Sequence, residues 1–168
     1  LLSTAHYKVA DKMASAIADH LLSDSQSEDN MGGIIESNDI SSAEVPANVQ
    51  AELRGYQKQG FRWLVNLHQQ NWGGILADDM GLGKTLQVLS LLQYLKNIGK
   101  VKGVHLLLAP TSLLMNWESE AQKFCPDLRV LVYHGTQRNK DILDQLSYDV
   151  IITSYGTAAV DKKLLLSM

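Results

Sequence analysis

One short run constrains the fold of this 168-residue chain more than any other. An apolar segment, a loop with two glycines and the start of an apolar helix follow one another between residues 74 and 86. Gly81 and Gly83 let the backbone curve closely around an anion, and the free N–H groups of a helix start favour negative charge. The run predicts a phosphate-binding loop, with Lys84 reaching the outer phosphates of ATP and the Thr85 hydroxyl ligating Mg²⁺.

The residues that we expect around the nucleotide span this loop and the first helical turn. They are Asp79, Met80, Gly81, Leu82, Gly83, Lys84, Thr85 and Leu86. Lys84 and Thr85 are the candidate catalytic residues, and Thr85 is the candidate magnesium ligand. Asp78 departs from the general loop pattern, which has glycine at that position. The alternative interpretation is a strand–turn–helix corner whose Lys84 is merely solvated.

Helical and strand-like segments alternate after Pro46, which predicts an α/β fold. Apolar positions recur at helical spacing, and Ser112 is the expected N-cap of a later helix. The predicted helices cover residues 55–70, 85–97, 112–124 and a polar stretch around 138–146. Apolar runs typical of strands buried on both sides cover residues 74–77, 104–109, 130–133 and 150–153. This alternation predicts a mainly parallel sheet with helices on both faces.

In such sheets, ligands bind at the carboxyl ends of the strands. Four segments directly follow predicted strands: the phosphate loop and residues 110–112, 134–135 and 153–155. We therefore expect these segments to line one edge of the domain. Tyr56 and Trp117 are expected in the core.

The first 47 residues have a different character. Residues 5–22 show helical spacing and predict a helical N-terminal extension over residues 1–22. Residues 23–47 are rich in Ser, Asp, Glu, Asn and Gly, which predicts a polar linker or mobile loop. The domain that carries the phosphate loop is then expected over residues 48–168.

Composition excludes several classes of protein. No apolar run approaches the roughly 18–20 residues that span a bilayer, and no secretory pattern is present. Cys125 is the single cysteine, which excludes an internal disulfide, fits an intracellular protein and predicts a buried or half-buried thiol without a catalytic role. The five histidines are scattered, and none is expected to ligate a metal. The net charge of −3 combines an acidic first part with a mildly basic remainder, which permits nucleic-acid contact without arguing for it.

Several motifs together resemble the start of a SWI/SNF-type ATPase, a DNA-dependent motor of the helicase superfamily with two RecA-like lobes. The resemblance covers roughly residues 46–160. In chain order, its motifs are Leu53–Gln57 with Gly60 and Trp63–Leu64, Asp78–Thr85, Leu108–Leu114 with Asn116, Trp117 and Glu120, Tyr133–Gly135, and Asp149–Tyr155. Gly55 stands where many relatives carry proline, whereas Asp78 is normal for this family.

The resemblance implies roles for residues outside the phosphate loop. Gln57 would hydrogen-bond the adenine edge of ATP, and Arg54 would lie near the base or the ribose. Small polar groups at the strand ends would contact DNA phosphates without reading sequence. These are Thr111, Ser112, Asn116, His134, Gly135, Thr153, Ser154 and Tyr155. For Ser112, the helix cap and the DNA contact are equally open.

The family's next motif, an Asp-Glu pair that holds Mg²⁺ and positions water, does not occur after Tyr155. The resemblance therefore implies a truncated first lobe that binds nucleotide without hydrolysing it. The longer parent protein would translocate on duplex DNA and remodel protein–DNA complexes, in the nucleoid or cytoplasm of a bacterium or in a eukaryotic nucleus. The alternatives are another P-loop NTPase or kinase, which leaves residues 53–57 without a role, and a non-catalytic interaction domain.

Overall fold

A computed structural model describes residues 42–99, 103–139, 142–143 and 148–167 of the chain. The helix predicted over residues 5–22 lies outside these residues. So do most of the linker predicted over 23–47 and most of the helical stretch predicted around 138–146.

The described core is built on a three-stranded parallel sheet. Its strands are β1 (His105–Ala109), β2 (Val130–Val132) and β3 (Val150–Ser154), and β3 lies between the other two. On one side His105 pairs with Val150, and on the other side Val130 pairs with the same residue. The predicted parallel sheet is confirmed. Every residue of β3 is buried, but Leu106 of β1 is 46% exposed, so the first strand is not covered on both sides as expected.

Helices cover both faces of this sheet. They are α1 (Gly55–Gln69), α2 (Lys84–Asn97), α3 (Leu114–Phe124), α4 (Tyr155–Val160) and α5 (Lys162–Leu166). Val150 and Ile152 of β3 join the larger apolar cluster with residues of α1, α2 and α3. Ile151 points the other way and packs with Leu164 and Leu165 of α5. The alternation of side chains along β3 therefore ties two apolar layers to one strand.

The strand predicted at 74–77 is wrong. Gly74 to Ala77 have no regular structure, and Ile75 is 86% exposed. The segment packs on α1 instead: a Cβ at Gly74 would lie 2.8 Å from the Trp63 ring, and Leu76 lies near Gly60. A strand requires a hydrogen-bonded neighbour, and no described strand pairs with this segment.

The helix cap predicted at Ser112 is also wrong. A 3₁₀ turn covers Thr111–Leu113, and α3 begins only at Leu114, with Leu113 at the cap and no side-chain cap bond. Pro110 precedes this turn with a φ of −54°, and its carbonyl accepts a hydrogen bond from the Leu113 N–H at 2.9 Å. The tight turn thus takes the place of a side-chain cap.

An ion-pair cluster fixes α2 against the amino ends of the strands. Lys96, near the end of α2, donates to the Asp149 carboxylate at 2.7 Å, and the Arg129 guanidinium donates to it at 2.9 Å. Burial alone would raise the pKa of Asp149, but these hydrogen bonds from Arg129 and Lys96 outweigh burial and lower it. Because the last turn of α2 lies at this edge, its first turn points toward the carboxyl ends of the strands.

Cys125 follows α3 and is fully buried, as predicted. Burial, together with the nearby charge of Asp127, raises the pKa of the Cys125 thiol to about 11. The thiol therefore stays protonated and unreactive at neutral pH. Across the described segments, no helix has the length and apolar character that crossing a bilayer requires.

The Asp149 cluster predicts a specific loss of stability in acid. A carboxyl whose pKa is lowered by folding stabilises the native state above its unfolded pKa of about 3.9, and that stability is lost as the pH falls below it. Asp149→Asn should therefore lower the free energy of unfolding by about 1–3 kcal/mol at pH 7. It should also flatten the decline of stability between about pH 5 and pH 3, as measured by thermal unfolding. Asp127→Asn, an exposed carboxylate on the same edge, is the control and should keep the steep decline. An equally steep decline in Asp149→Asn would contradict this account.

Candidate nucleotide site and strand-end surface

The loop before α2 has the backbone shape that its glycines predicted. Gly81 and Gly83 have φ angles of 84° and 77°, in the left-handed region that side chains disfavour. Gly83 is also the N-cap of α2, whose first-turn N–H groups have no partner within the helix. Left-handed glycines at a helix start form an anion-binding concavity.

Lys84 holds the two sides of this loop together. Its ammonium donates hydrogen bonds to the carbonyl oxygens of Asp78 at 2.6 Å and Asp79 at 2.9 Å. Lys84 is thus more than a solvated side chain at a corner. Thr85 follows in the first turn of α2 and is half-buried.

Two side chains at the start of α1 donate hydrogen bonds to the same loop. The Leu82 carbonyl accepts hydrogen bonds from Gln57 Nε2 at 3.0 Å and from the Tyr56 hydroxyl at 3.2 Å. Gln57 Oε1 in turn accepts the backbone N–H of Arg54 at 2.8 Å, so both ends of its amide are engaged. The expectation that Tyr56 is a core residue is wrong: the residue is 38% exposed, and its hydroxyl bonds to the loop.

The absence of a side chain at Gly83 leaves room for the Gln57 amide. A Cβ at position 83 would overlap Gln57 Nε2, in addition to the strain of the positive φ. The structure thus places Gln57 against the loop, while Arg54 is exposed.

One contact of the loop was missed by sequence reasoning. Gln87, on the first turn of α2, is fully buried, and its Nε2 donates to the Asp78 carboxylate at 3.0 Å. This amide ties the Asp78 carboxylate to α2. The only signal in the sequence is a glutamine directly after the apolar Leu86, which by pattern alone indicates a solvated position.

The loop residues fit a phosphate group. The ammonium, the free helix N–H groups and the left-handed glycines lie within one turn of each other, and phosphate is the ligand that this donor set suits. Met80 at the loop tip is 96% exposed, Asp79 is exposed and Leu86 packs toward the core. A phosphate would enter from the exposed side of the tip.

Polar side chains also follow the carboxyl ends of β1. Thr111, Ser112 and Asn116 are all exposed. Asn116 donates to Glu120 at 3.0 Å along α3, whereas no helix-cap bond occupies the two hydroxyls. These hydroxyls are therefore accessible to a ligand at this edge. Trp117 packs against the core, as expected.

The expectation of surface contacts fails for Thr153 and Ser154. Thr153 is fully buried and donates to the Tyr133 carbonyl at 2.6 Å, and Ser154 is 5% exposed and caps α4 by accepting the Thr157 N–H at 3.2 Å. The central position of β3 buries both hydroxyls. Tyr155, at 40% exposure, is the part of this segment that reaches the surface.

The segment after β2 rests on a buried ion pair. Arg138 donates to the Asp161 carboxylate and to the Gly135 carbonyl, and the Tyr133 hydroxyl donates to Asp161 at 2.9 Å. Burial, followed by the hydrogen bond to Asp161, raises the pKa of Tyr133. The exposed His134 thereby lies against β3, with Nδ1 3.2 Å from Ser154 Oγ. His134 and Ser154, from two of the predicted strand-end segments, are thus in contact, whereas Gly135 bonds to Arg138 three residues further on. The phosphate loop, which was predicted to follow a strand as well, follows none of the described strands.

Metal ligands do not gather elsewhere in the described part of the chain. No three His, Cys, Asp or Glu side chains there form a group that could hold an ion. His6 and His20 lie outside the described residues.

Comparison with known proteins identifies relatives of the whole site. Residues 56–168 match the model of the SNF2-related domain. A probable ATP-dependent helicase of Plasmodium falciparum is 44% identical over 127 residues, which cover 70% of this chain and 6% of the relative. The ISWI chromatin-remodeling complex ATPase ISW2 of Saccharomyces cerevisiae is 42% identical over 133 residues, which cover 76% of this chain and 12% of the relative.

A solved structure agrees with these sequence matches. The SWI2/SNF2 ATPase core of Sulfolobus solfataricus in complex with dsDNA superposes with a TM-score of 0.63 at 38% identity, over 69% of this chain and 24% of that one. The chain thus spans only a small part of each relative. The matched residues include the phosphate loop, all three described strands and the strand-end segments, and the chain belongs to the SNF2-related family of ATPase domains.

Proposed function

We propose that this chain supplies the ATP-binding part of the first RecA-like lobe of a motor that moves on duplex DNA. The observation that carries the proposal is the position of Lys84, whose ammonium lies in a glycine loop at the start of α2. The hydrogen bond from Gln57 to the same loop supports it. A glutamine that contacts the base must lie near the loop that binds the phosphates of the same nucleotide.

Nucleotide binding would exchange partners at Lys84. A phosphate oxygen carries charge, whereas the carbonyls of Asp78 and Asp79 are neutral. The ammonium already makes charge-assisted hydrogen bonds to these carbonyls, but a phosphate oxygen adds the attraction between opposite charges. The lysine would therefore leave at least one carbonyl for the phosphate, and the helix N–H groups of α2 would complete the cradle.

The same exchange applies to Gln57. Its Nε2 donates to Leu82 and its Oε1 accepts from Arg54, so contact with an adenine edge would replace one of these bonds. Contact with the base would thus change a hydrogen bond to the phosphate loop. This coupling would let the site respond to the base as well as to the phosphates.

Thr85 is the residue that would hold Mg²⁺ beside the phosphates, where the ion would neutralise charge on the γ-phosphate during its transfer to water. The 13 residues after Tyr155 contain a single acidic residue, Asp161, which is buried against Tyr133 and Arg138. That carboxylate has no place in water activation. We infer that the 168 residues bind nucleotide without completing hydrolysis.

The DNA interface would lie at the carboxyl edge of the sheet. Thr111, Ser112, Asn116, His134 and Tyr155 are exposed there. Neutral hydroxyl and amide groups position a backbone and carry no sequence information. We therefore infer sequence-independent phosphate contacts with a shallow salt dependence, because few counterions would be released. In a eukaryotic cell, such a protein would act in the nucleus.

Substitution of Lys84 tests nucleotide binding. Lys84→Ala should weaken the binding of Mg·ADP by about 10- to 100-fold, because one charged contact to phosphate contributes about 1.5–3 kcal/mol. Isothermal titration calorimetry of the 168-residue chain measures the effect. Lys162→Ala is the matched control, since Lys162 is also the first residue of a helix and is exposed. Equal affinities in the two variants would refute the nucleotide site.

Hydrolysis by the 168-residue chain is the second test. We expect phosphate release with added duplex DNA to stay at the level of the Lys84→Ala variant, because Asp161, the one acidic residue after Tyr155, is bonded to Tyr133 and Arg138. Release that rises with duplex DNA would show that these residues suffice for catalysis. Phosphate transfer to a small molecule would instead favour the kinase alternative.

The DNA-facing edge is tested in the longer protein. The double variant Thr111→Ala/Ser112→Ala should reduce DNA stimulation of ATP hydrolysis by about three- to tenfold, as the loss of one or two neutral hydrogen bonds allows. Its stability should not change, because neither hydroxyl caps α3. Ser119→Ala, an exposed serine in the middle of α3, is the control. Full DNA stimulation in the double variant would remove this edge from the DNA interface.

A further inference from the structure

We propose that Gln87 is a positioning residue, which together with Gly60 sets the location of Asp78 and so of the carbonyls that hold Lys84. The proposal rests on the nucleotide site proposed above but concerns residues that do not touch the nucleotide. A chain of contacts, which we call the relay, runs from Gly60 on α1 to Gln87 on α2 and then to Asp78 in the phosphate loop.

The first link is the amide of Gln87. Its side chain is fully buried, and Nε2 donates to Asp78 Oδ2 at 3.0 Å. A carboxylate accepts hydrogen bonds and cannot donate them, so the NH₂ group must face Asp78. Oε1 is therefore held on the opposite side, where no donor from the described residues reaches it.

The second link is the space at Gly60. A Cβ built on Gly60 would overlap Gln87 Oε1 and lie 3.1 Å from its Cδ, whereas the Leu76 side chain is at an ordinary 3.8 Å. The end of a glutamine can usually swing away from a methyl group. Here the side chain is buried and its other amide atom is bonded to Asp78, so a displacement at Gly60 must move or break that bond.

The third link is Asp78 itself. Its carboxylate is bound by Gln87, and its carbonyl accepts the Lys84 ammonium at 2.6 Å. Asp78 is thus fixed to α2 through its side chain, and its backbone carbonyl holds the Lys84 ammonium. Loss of the amide would free Asp78 and let Lys84 sample positions away from the phosphate cradle.

The same helix contains an internal control. Gln93 is also fully buried with an unpaired Oε1, but its Nε2 donates to Asn97, at the far end of α2. Gln87→Met and Gln93→Met therefore remove equivalent amides from one helix, and only the first is bonded to the loop. Methionine keeps the length of the side chain in both variants.

Two measurements on the 168-residue chain test the relay. The first is the rate of acetylation of Lys84 by acetic anhydride without nucleotide, read by mass spectrometry against Lys162 in the same sample. The second is the affinity for Mg·ADP, with thermal unfolding recorded for each variant. Gln87→Met should raise the acetylation rate of Lys84 and weaken ADP binding, each by about three- to tenfold. Gln93→Met should leave both within about twofold, whatever its effect on the melting temperature.

Substitutions at both ends of the relay give independent readings. Gly60→Ala should weaken ADP binding as Gln87→Met does, but adding Gly60→Ala to Gln87→Ala should cause no further loss, because the overlap is gone. Gly55→Ala, with open space at its Cβ, should have no effect. Asp78→Ala, which removes the acceptor of the Gln87 amide, should resemble Gln87→Met.

The outcomes separate this inference from the proposed function. If the chain and its Lys84→Ala variant bind ADP equally or not at all, the nucleotide site is refuted, and the acetylation rates still decide whether Gln87 positions Lys84. If Lys84 acetylation is the same in the Gln87→Met and Gln93→Met variants, the relay is refuted even though ADP binds. Additive losses for Gly60→Ala and Gln87→Ala would refute the link through Gly60.

Discussion

The arrangement of the site depends on the pairing of β3 with both of its neighbours, because β1 and β2 meet only through it. Adjacent strands lie about 4.8 Å apart, so the spacings of the segments that follow the three strands are set by two hydrogen-bonded ladders that share β3. The side chains of β3 anchor one apolar layer with Val150 and Ile152 and the other with Ile151. A change that shifts this strand would therefore move the strand-end surface and the packing of α2 together. The ion pair of Lys96 with Asp149 then fixes the direction in which α2 points.

Hydrogen bonds from within the chain hold the phosphate loop in its shape. Lys84 bonds to two loop carbonyls, and Leu82 receives two donors from α1. For the proposed nucleotide, a loop already held in this shape would lower the entropy cost of binding. The opposing effect is that internal bonds would have to be exchanged for bonds to the ligand. Charge would favour this exchange at Lys84, whereas at Gln57 one neutral bond would replace another, so the phosphates would dominate affinity and the base would contribute selectivity.

The sequence predicted the parallel sheet, the extents of α1 and α2 to within about one residue and the glycine loop, since each rests on local periodicity or on a backbone requirement. It failed where a residue's environment is set by partners far along the chain. Residues 74–77 look like a strand but lack a described neighbour to pair with. The polar residues Gln87, Ser90 and Gln93 recur at a spacing of three, which by pattern indicates a solvated face of α2, yet packing buries all three. The strand-end hydroxyl of Thr153 is hidden for the same reason, because the central place of β3 could not be read from the chain.

The burial of Cys125 makes the chain well suited to optical study. Its one native sulfhydryl is inaccessible and protonated at neutral pH, so maleimide dyes would find no competing target in the folded protein. Met80, at 96% exposure on the tip of the phosphate loop, is the natural place for an introduced cysteine. A fluorophore attached there would stand directly over the cradle formed by Gly81, Gly83 and Lys84. With the native thiol unlabelled, the signal of the attached dye would come from this position alone, so movements of a single loop could be followed.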